Sequence, residues 1–358
     1  MTSLKGSAAV AFVALVIAVL PAIRLLASTD WDPTLFVGFG VEEPLTLDYA
    51  EEKLGRDVLT RPEQGHDGKF FFVQSNDPWI LDPDENALIM DRPLYRSQRM
   101  LYPVLAGGAG FFSPQVIAWS LLAVNVVFIV LGSVAVGLIA RKHGVTHWVG
   151  LAFALNFGLL FEVFIDGAGV VAFALVCIGA WALEEERLVF ASVAFAAAAL
   201  TREAMLVFVG FVALFWLIRR RKIPWILGLP AVSAVVLWAI YVRMRIDVPE
   251  DLDPVNAITL VPFSGMIEAL TSGRAAPVDL ATILLFVVLL VVVPVRAWRS
   301  DVYLTWGAAG FAVLAPFLTV FVWQKFFDIS RALAPLVTVF VLELLLARKR
   351  ARVPVLTS

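Results

Sequence analysis

Residues 115–140 read QVIAWSLLAVNVVFIVLGSVAVGLIA, and Arg141-Lys142 closes the run. The stretch carries no charge. As a helix it would reach about 39 Å at about 1.5 Å per residue. A hydrocarbon core is about 30 Å thick. An apolar run of that length, ended by paired cations, reads as a membrane-crossing helix. The rest of the chain follows the same rule. Of its 358 residues 60% are hydrophobic and 16% charged, with a mean hydropathy of +0.87. Ordinary soluble domains hold roughly 45–50% apolar and 25% charged residues. The sequence is that of an all-α integral membrane protein, a single polytopic helical bundle over 1–358.

Working outward, nine further apolar runs stand at 8–26, 148–164, 167–183, 188–200, 204–218, 225–242, 280–295, 302–323 and 329–346. Together with 115–140 they predict about ten transmembrane helices. Residues 101–112 are apolar but short, and read as a helix at the membrane interface. The first run follows Lys5 and resembles a signal peptide. It continues through Pro21 to Leu26, long for such a segment, and reads as an uncleaved helix. Two polar segments interrupt the pattern, a large loop at 28–100 and a second at 243–278.

Orientation follows from the bias of Lys and Arg toward cytoplasmic loops. With Lys5 inside, Arg141-Lys142, Arg187, Arg219 to Lys222, Arg296 with Arg299, and Arg348 to Arg350 all fall inside. Arg243 and Arg245 are the exceptions. The reading is a multi-pass plasma-membrane protein with both termini cytoplasmic and both polar loops extracytoplasmic. A net charge of −2 gives no basic field for nucleic acid. The lone Cys177 excludes an intramolecular disulfide.

The 28–100 loop contains Gly65-His66-Asp67-Gly68-Lys69-Phe70-Phe71-Phe72, and further on the run DRPLYRSQRMLYP from Asp91 to Pro103. Glycine lets a backbone turn and approach a ligand closely. A carboxylate between glycines is a candidate base or ligand; the plain alternative is a surface turn. Asp67, Glu162, Asp166, Arg202, Glu203, Lys325, Asp328 and Arg331 share the outer ends of the runs. Such a set can bind a polar substrate, or simply solvate helix termini. Arg202-Glu203 interrupts an apolar stretch. Residues 188–200 span only about 20 Å, so this pair sits below the membrane surface and needs a partner or cavity. Arg92, Arg96 and Arg99, spaced by four and three, form either a stripe toward anionic lipid or a solvated face. His143 and His147 lack a third ligand and read as interface residues. Paired outer carboxylates leave a divalent cation open without assigning one. No Walker or Rossmann glycine pattern is present.

GHDGKFFF, with LDPDENALIMDRPLYRSQRMLYPVL after it, resembles the DG-aromatic loop and YR-x-x-R-x-x-YP segment of bacterial multispanning glycosyltransferases. These proteins belong or stand close to the GT-C superfamily, which uses polyprenyl-phosphate sugars. ALTREAML and DISRALAPL resemble later segments of the same proteins, so the likeness covers most of the chain in order. It implies a GT-C-like fold with an acidic catalytic base in the first external loop, a role that falls on Asp67. Many members instead carry that acid directly after the first helix, where Asp30 and Asp32 stand here.

The reading is an inverting transferase. It would move a sugar from a polyprenyl-phosphate donor to a cell-envelope glycan or lipid acceptor. Asp67 is the base, and His66, Lys69, Arg96, Arg99, Asp166, Arg202, Glu203, Lys325 and Arg331 are candidate substrate-binding residues. The alternatives are a transporter or flippase of lipid-linked saccharide, or a non-catalytic assembly subunit. Two local expectations accompany the base. Phe70, Phe71 and Phe72 pin the loop to the membrane face, and burial beside aromatic rings raises the Asp67 pKa.

Overall fold

The computed structural model describes residues 2–247 and 258–352. Part of the second polar loop, including Asp253, lies outside the described residues. Helices dominate, and the described strands are two short pieces, Phe39–Gly40 and Thr60–Arg61, paired in parallel. Lys5–Ala27, Pro114–Lys142, Trp225–Arg245 and Pro277–Trp298 are each long and apolar enough to cross a membrane. Counting each of two bent pairs as one crossing, His147–Ala154 with Phe157–Phe164 and Phe326–Ala332 with Ala334–Arg350, gives six. Gly169–Glu184, Leu188–Thr201 and Tyr303–Phe317 are apolar but shorter. The chain is an all-α membrane protein.

Packing explains the layout. Gly169–Glu184 is buried along most of its length, between Pro114–Lys142, Leu188–Thr201 and Tyr303–Leu314. Ala14, Ala18 and Ala22 recur every four residues on the first helix and are buried, facing Pro114–Lys142. Small side chains at that spacing let helix backbones approach in a lipid setting, where dispersion contacts replace the hydrophobic drive. Leu20, Val127, Leu237 and Leu284 point outward, as lipid-facing residues do.

The two bends are tied together. Asn156 caps Phe157–Phe164 by accepting a bond from the Gly158 amide at 3.1 Å. Its own amide donates to Ala334 O at 2.9 Å and to Thr338 Oγ1 at 3.1 Å, at the other bend. A Cβ on Gly158 would lie 2.1 Å from Ser330 O, so only glycine permits this approach. One side chain and one glycine thus clamp Phe157–Phe164 against Phe326–Ala332.

The large polar segment is a folded layer. Thr34–Val37, Pro44–Leu54, Gly68–Asn76, Pro83–Ile89 and Pro93–Arg96 are helical. They share a core of Phe39, Tyr49, Phe70, Phe71 and Phe72 with Tyr102, Ile117 and Leu121 of the next two helices. This corrects one expectation. The three phenylalanines are buried inside the protein and do not face lipid. Three consecutive buried side chains are possible because the helix Gly68–Asn76 is enclosed on nearly all sides.

Candidate functional site

Asp67 sits at the start of Gly68–Asn76, where the chain turns in from the short strand pair. Gly68 is pressed against Val37 O and Ile165 O, which an added Cβ would meet at 2.6 and 2.7 Å. That close contact brings Asp67 to the clamped bends. Its Oδ1 accepts from Arg96 Nη1 at 2.8 Å and its Oδ2 from Arg331 Nη2 at 2.7 Å.

Arg331 is the hub. Besides Asp67, its Nε lies 3.1 Å from Glu162 Oε1 and its Nη1 3.7 Å from Asp328 Oδ1. Arg96 holds Asp91 with two bonds of 2.9 and 3.0 Å and covers the Phe70 ring at 4.2 Å. Arg99 bridges to Glu203 at 3.3 and 3.4 Å, bonds Tyr95 Oη, and lies over the Tyr95 ring. Arg202 makes the loosest contact, 3.8 Å to Glu162, whose other oxygen accepts from the Gly169 amide. Arg96, Arg99, Arg202 and Arg331 thus face Asp67, Asp91, Glu162, Glu203 and Asp328. Four guanidiniums meet five carboxylates, so the centre carries no surplus positive charge.

The pKa expectation for Asp67 is overturned. Burial does push its carboxyl up. Arg96 and Arg331, with Arg99 behind them, outweigh burial and hold it far below the usual carboxylate range. Burial lowers the His66 pKa, helped by Arg61 and Arg331 and opposed by Asp67.

The remaining sequence candidates divide. Arg96, Arg99, Arg202, Glu203 and Arg331 join the network directly. His66 stands beside it, edge-on to Phe161 at 6.1 Å. Asp166 is fully buried behind Gly68, with neither oxygen bonded and a φ of 46°. Lys69 is committed elsewhere. Its amine pairs with Glu43 at 3.0 Å and donates to Gln64 O. Lys325 is exposed and makes no ion pair among the described residues. Asp32 holds Arg56 by two bonds of 2.6 and 2.9 Å and caps Thr34, so it braces its own turn. Asp30 stands next to it with a φ of 50°.

Sequence reasoning missed Asp91, the second carboxylate on Arg96. Its spacing of five from Arg96 was visible, but a short helix begun by Pro93 was needed to fold it back. Among the described residues no group of three or more His, Cys, Asp or Glu is arranged to hold a metal. No protein-family model, curated protein or solved structure matches this chain.

Proposed function

We propose that this chain is an inverting membrane glycosyltransferase. It takes a sugar from a polyprenyl phosphate and gives it to a glycan or lipid hydroxyl outside the cytoplasm. The observation that carries the reading is Asp67, a half-buried carboxylate held between arginines that are themselves shared with other acids. A purely structural acid is served by one fixed donor set. Here Arg96 and Arg331, the two guanidiniums on Asp67, each hold more than one acid and can exchange one for another anion.

In the reaction the acceptor oxygen attacks the anomeric carbon. The carbon–oxygen bond to phosphate breaks, and the polyprenyl phosphate leaves with the electron pair. The hydroxyl proton passes to Asp67. With both oxygens bonded to arginine, Asp67 is a poor base. Donor phosphate competes for Arg331 and for the loosely held Arg202. Charge-assisted bonds to phosphate suit the guanidinium fork. Loss of an arginine raises the Asp67 pKa at the moment the donor is in place.

The ten-crossing topology, with the Asp67 end extracytoplasmic, is part of the same proposal. Contacts between basic segments support it. Lys142 pairs with Glu185, Arg219 donates to Trp298 O, Lys349 to His143 O and Arg350 to Arg299 O. Gly6 lies against the His147 ring. These groups share one end of the bundle, as the positive-inside rule requires of cytoplasmic turns.

The test is purified protein with a panel of polyprenyl-phosphate sugars, measuring release of the lipid phosphate. Release dependent on both sugar donor and acceptor supports the transferase. Movement of lipid-linked saccharide across a vesicle with no phosphate release would replace it with the transporter reading.

A further inference from the structure

A cavity of about 230 Å³ opens beside the second polar loop, and none of the residues of the Asp67 ion pairs lines it. Its walls are Ala269, Ser272, Arg274, Ala275, Gln324 and Lys325. Two cations, a hydroxyl and an amide line it, and among the described residues no carboxylate does. Neither Arg274 nor Lys325 makes an ion pair among the described residues. Glu268, Asp279 and Asp328 are the nearest acids in sequence; Asp279 is taken up by backbone amides. Glu268 does not line the cavity, and Asp328 leans toward Arg331.

The cavity is braced from beneath. Asp279 is buried, and its two oxygens accept from the Ala276 amide at 2.8 Å and the Phe326 amide at 2.7 Å. One carboxylate therefore holds together the two segments that carry Arg274 and Lys325. The helix Ser264–Thr271 forms one wall and turns Ile267 and Leu270 outward; Leu260 and Val261 just before it are also exposed. An apolar rim around a cationic cavity, at the start of the crossing helix Pro277–Trp298, fits the level of lipid headgroups.

We propose that this cavity binds the phosphate of a lipid whose chain lies along the apolar rim. The charge balance separates it from the Asp67 centre. There phosphate must displace a carboxylate, whereas here two cations with no ion pair among the described residues face an open volume. A run of stacked rings links the two places. Phe326 follows Lys325 and stacks on Phe157 at 5.3 Å; Phe161 stacks on Phe327 at 4.8 Å and meets His66 at the far end. The site stands on its own whether or not the protein transfers sugars.

The experiment uses the full-length protein in detergent with a photoreactive short-chain polyprenyl phosphate, and mass spectrometry to locate the adducts. Adducts are expected at 264–276 and 324–327. Unlabelled polyprenyl phosphate should compete for them, and inorganic phosphate or the parent polyprenol should compete far less. Arg274→Gln with Lys325→Gln should weaken labelling about tenfold or more, since each bond to a charged partner contributes strongly. Equal competition by inorganic phosphate would overturn the lipid assignment. Adducts confined to the Asp67 network, or wild-type labelling in a folded double variant, would overturn the site itself.

Discussion

Carboxylates inside this bundle are treated in two ways. At the Asp67 end, Asp67, Glu162 and Glu203 each meet at least one guanidinium. At the opposite end, Glu343 is as deeply buried as Glu162 yet is answered by two hydroxyls, Ser300 Oγ at 2.6 Å and Thr305 Oγ1 at 2.7 Å. Its neighbour Glu184 takes the Tyr303 amide and the His143 ring. Hydroxyl and amide donors are fixed by the helices that carry them, so Glu343 locks three segments in register. Guanidiniums on long side chains can pivot between anions. A buried acid in a membrane is thus a lock or an exchange point according to its donors, and burial alone does not say which.

The largest expected effect tests the exchange point directly. Asp67→Asn keeps the shape and can still accept one bond, but removes the charge and most of the basicity. Sugar transfer should fall about 100- to 10,000-fold. Donor binding should hold or improve, because Arg96 and Arg331 lose a competitor. Asp32→Asn should be mild for catalysis, since Asp32 only braces its turn through Arg56 and Thr34. A dead Asp32→Asn beside an active Asp67→Asn would move the base to the end of the first helix.

Arg331→Lys comes next. Lysine supplies one point charge where Arg331 reaches Asp67, Glu162 and Asp328 in different directions. Turnover should drop about 10- to 100-fold, the worth of one or two charge-assisted bonds. Steady-state kinetics on a variant with unchanged melting temperature checks this. Full activity would show that the hub is only structural.

The sequence made this end of the molecule partly readable. Apolar runs ended by cations gave helix positions close to those found, because the bilayer constrains length and composition together. The shared end of Asp67, Arg202, Glu203 and Arg331 followed from alternating the runs. Pairing did not follow. Lys69 is two residues from Asp67 yet turns to Glu43, and Asp91 reaches Arg96 only through a short helix. The bends at Asn156 and Leu333 were also hidden, since each joins residues nearly 180 positions apart. The sign of the Asp67 shift depended on those long-range partners, so composition around the motif pointed the wrong way.

Gly68→Ala probes how the exchange point is placed. A methyl group there collides with two carbonyl oxygens, and overpacking of this kind costs about 1–3 kcal/mol. Unfolding in detergent should show that loss, and activity should suffer in the folded fraction because Asp67 shifts. A stable, fully active Gly68→Ala would mean that the contact yields easily. The pH dependence of the same centre has a defined sign. The folded Asp67 pKa is depressed, so its stabilisation is present above the ordinary Asp value of about 3.9. It is lost only as pH falls through the folded value. The part of the stability gap between wild type and Asp67→Asn that Asp67 ionisation supplies should therefore be present at neutral pH and close only below about pH 4.

The smallest effect is expected at the lock. In Glu343→Gln the side-chain carbonyl can still accept from Ser300 and Thr305, and the position Glu343 Oε1 occupies is kept. Neutral bonds replace charge-assisted ones, while the cost of burying a charge disappears. The two changes oppose each other, so stability should move by less than about 1 kcal/mol. Transfer activity should stay within about threefold, far from the loss at Asp67. Glu343→Leu supplies the contrast. It strands two buried hydroxyls without an acceptor, at about 1–3 kcal/mol for each unsatisfied group. Melting curves of both variants decide the matter. A large loss in Glu343→Gln with little further loss in Glu343→Leu would show that charge, and not acceptance, is what this end requires. The division between lock and exchange point would then fail.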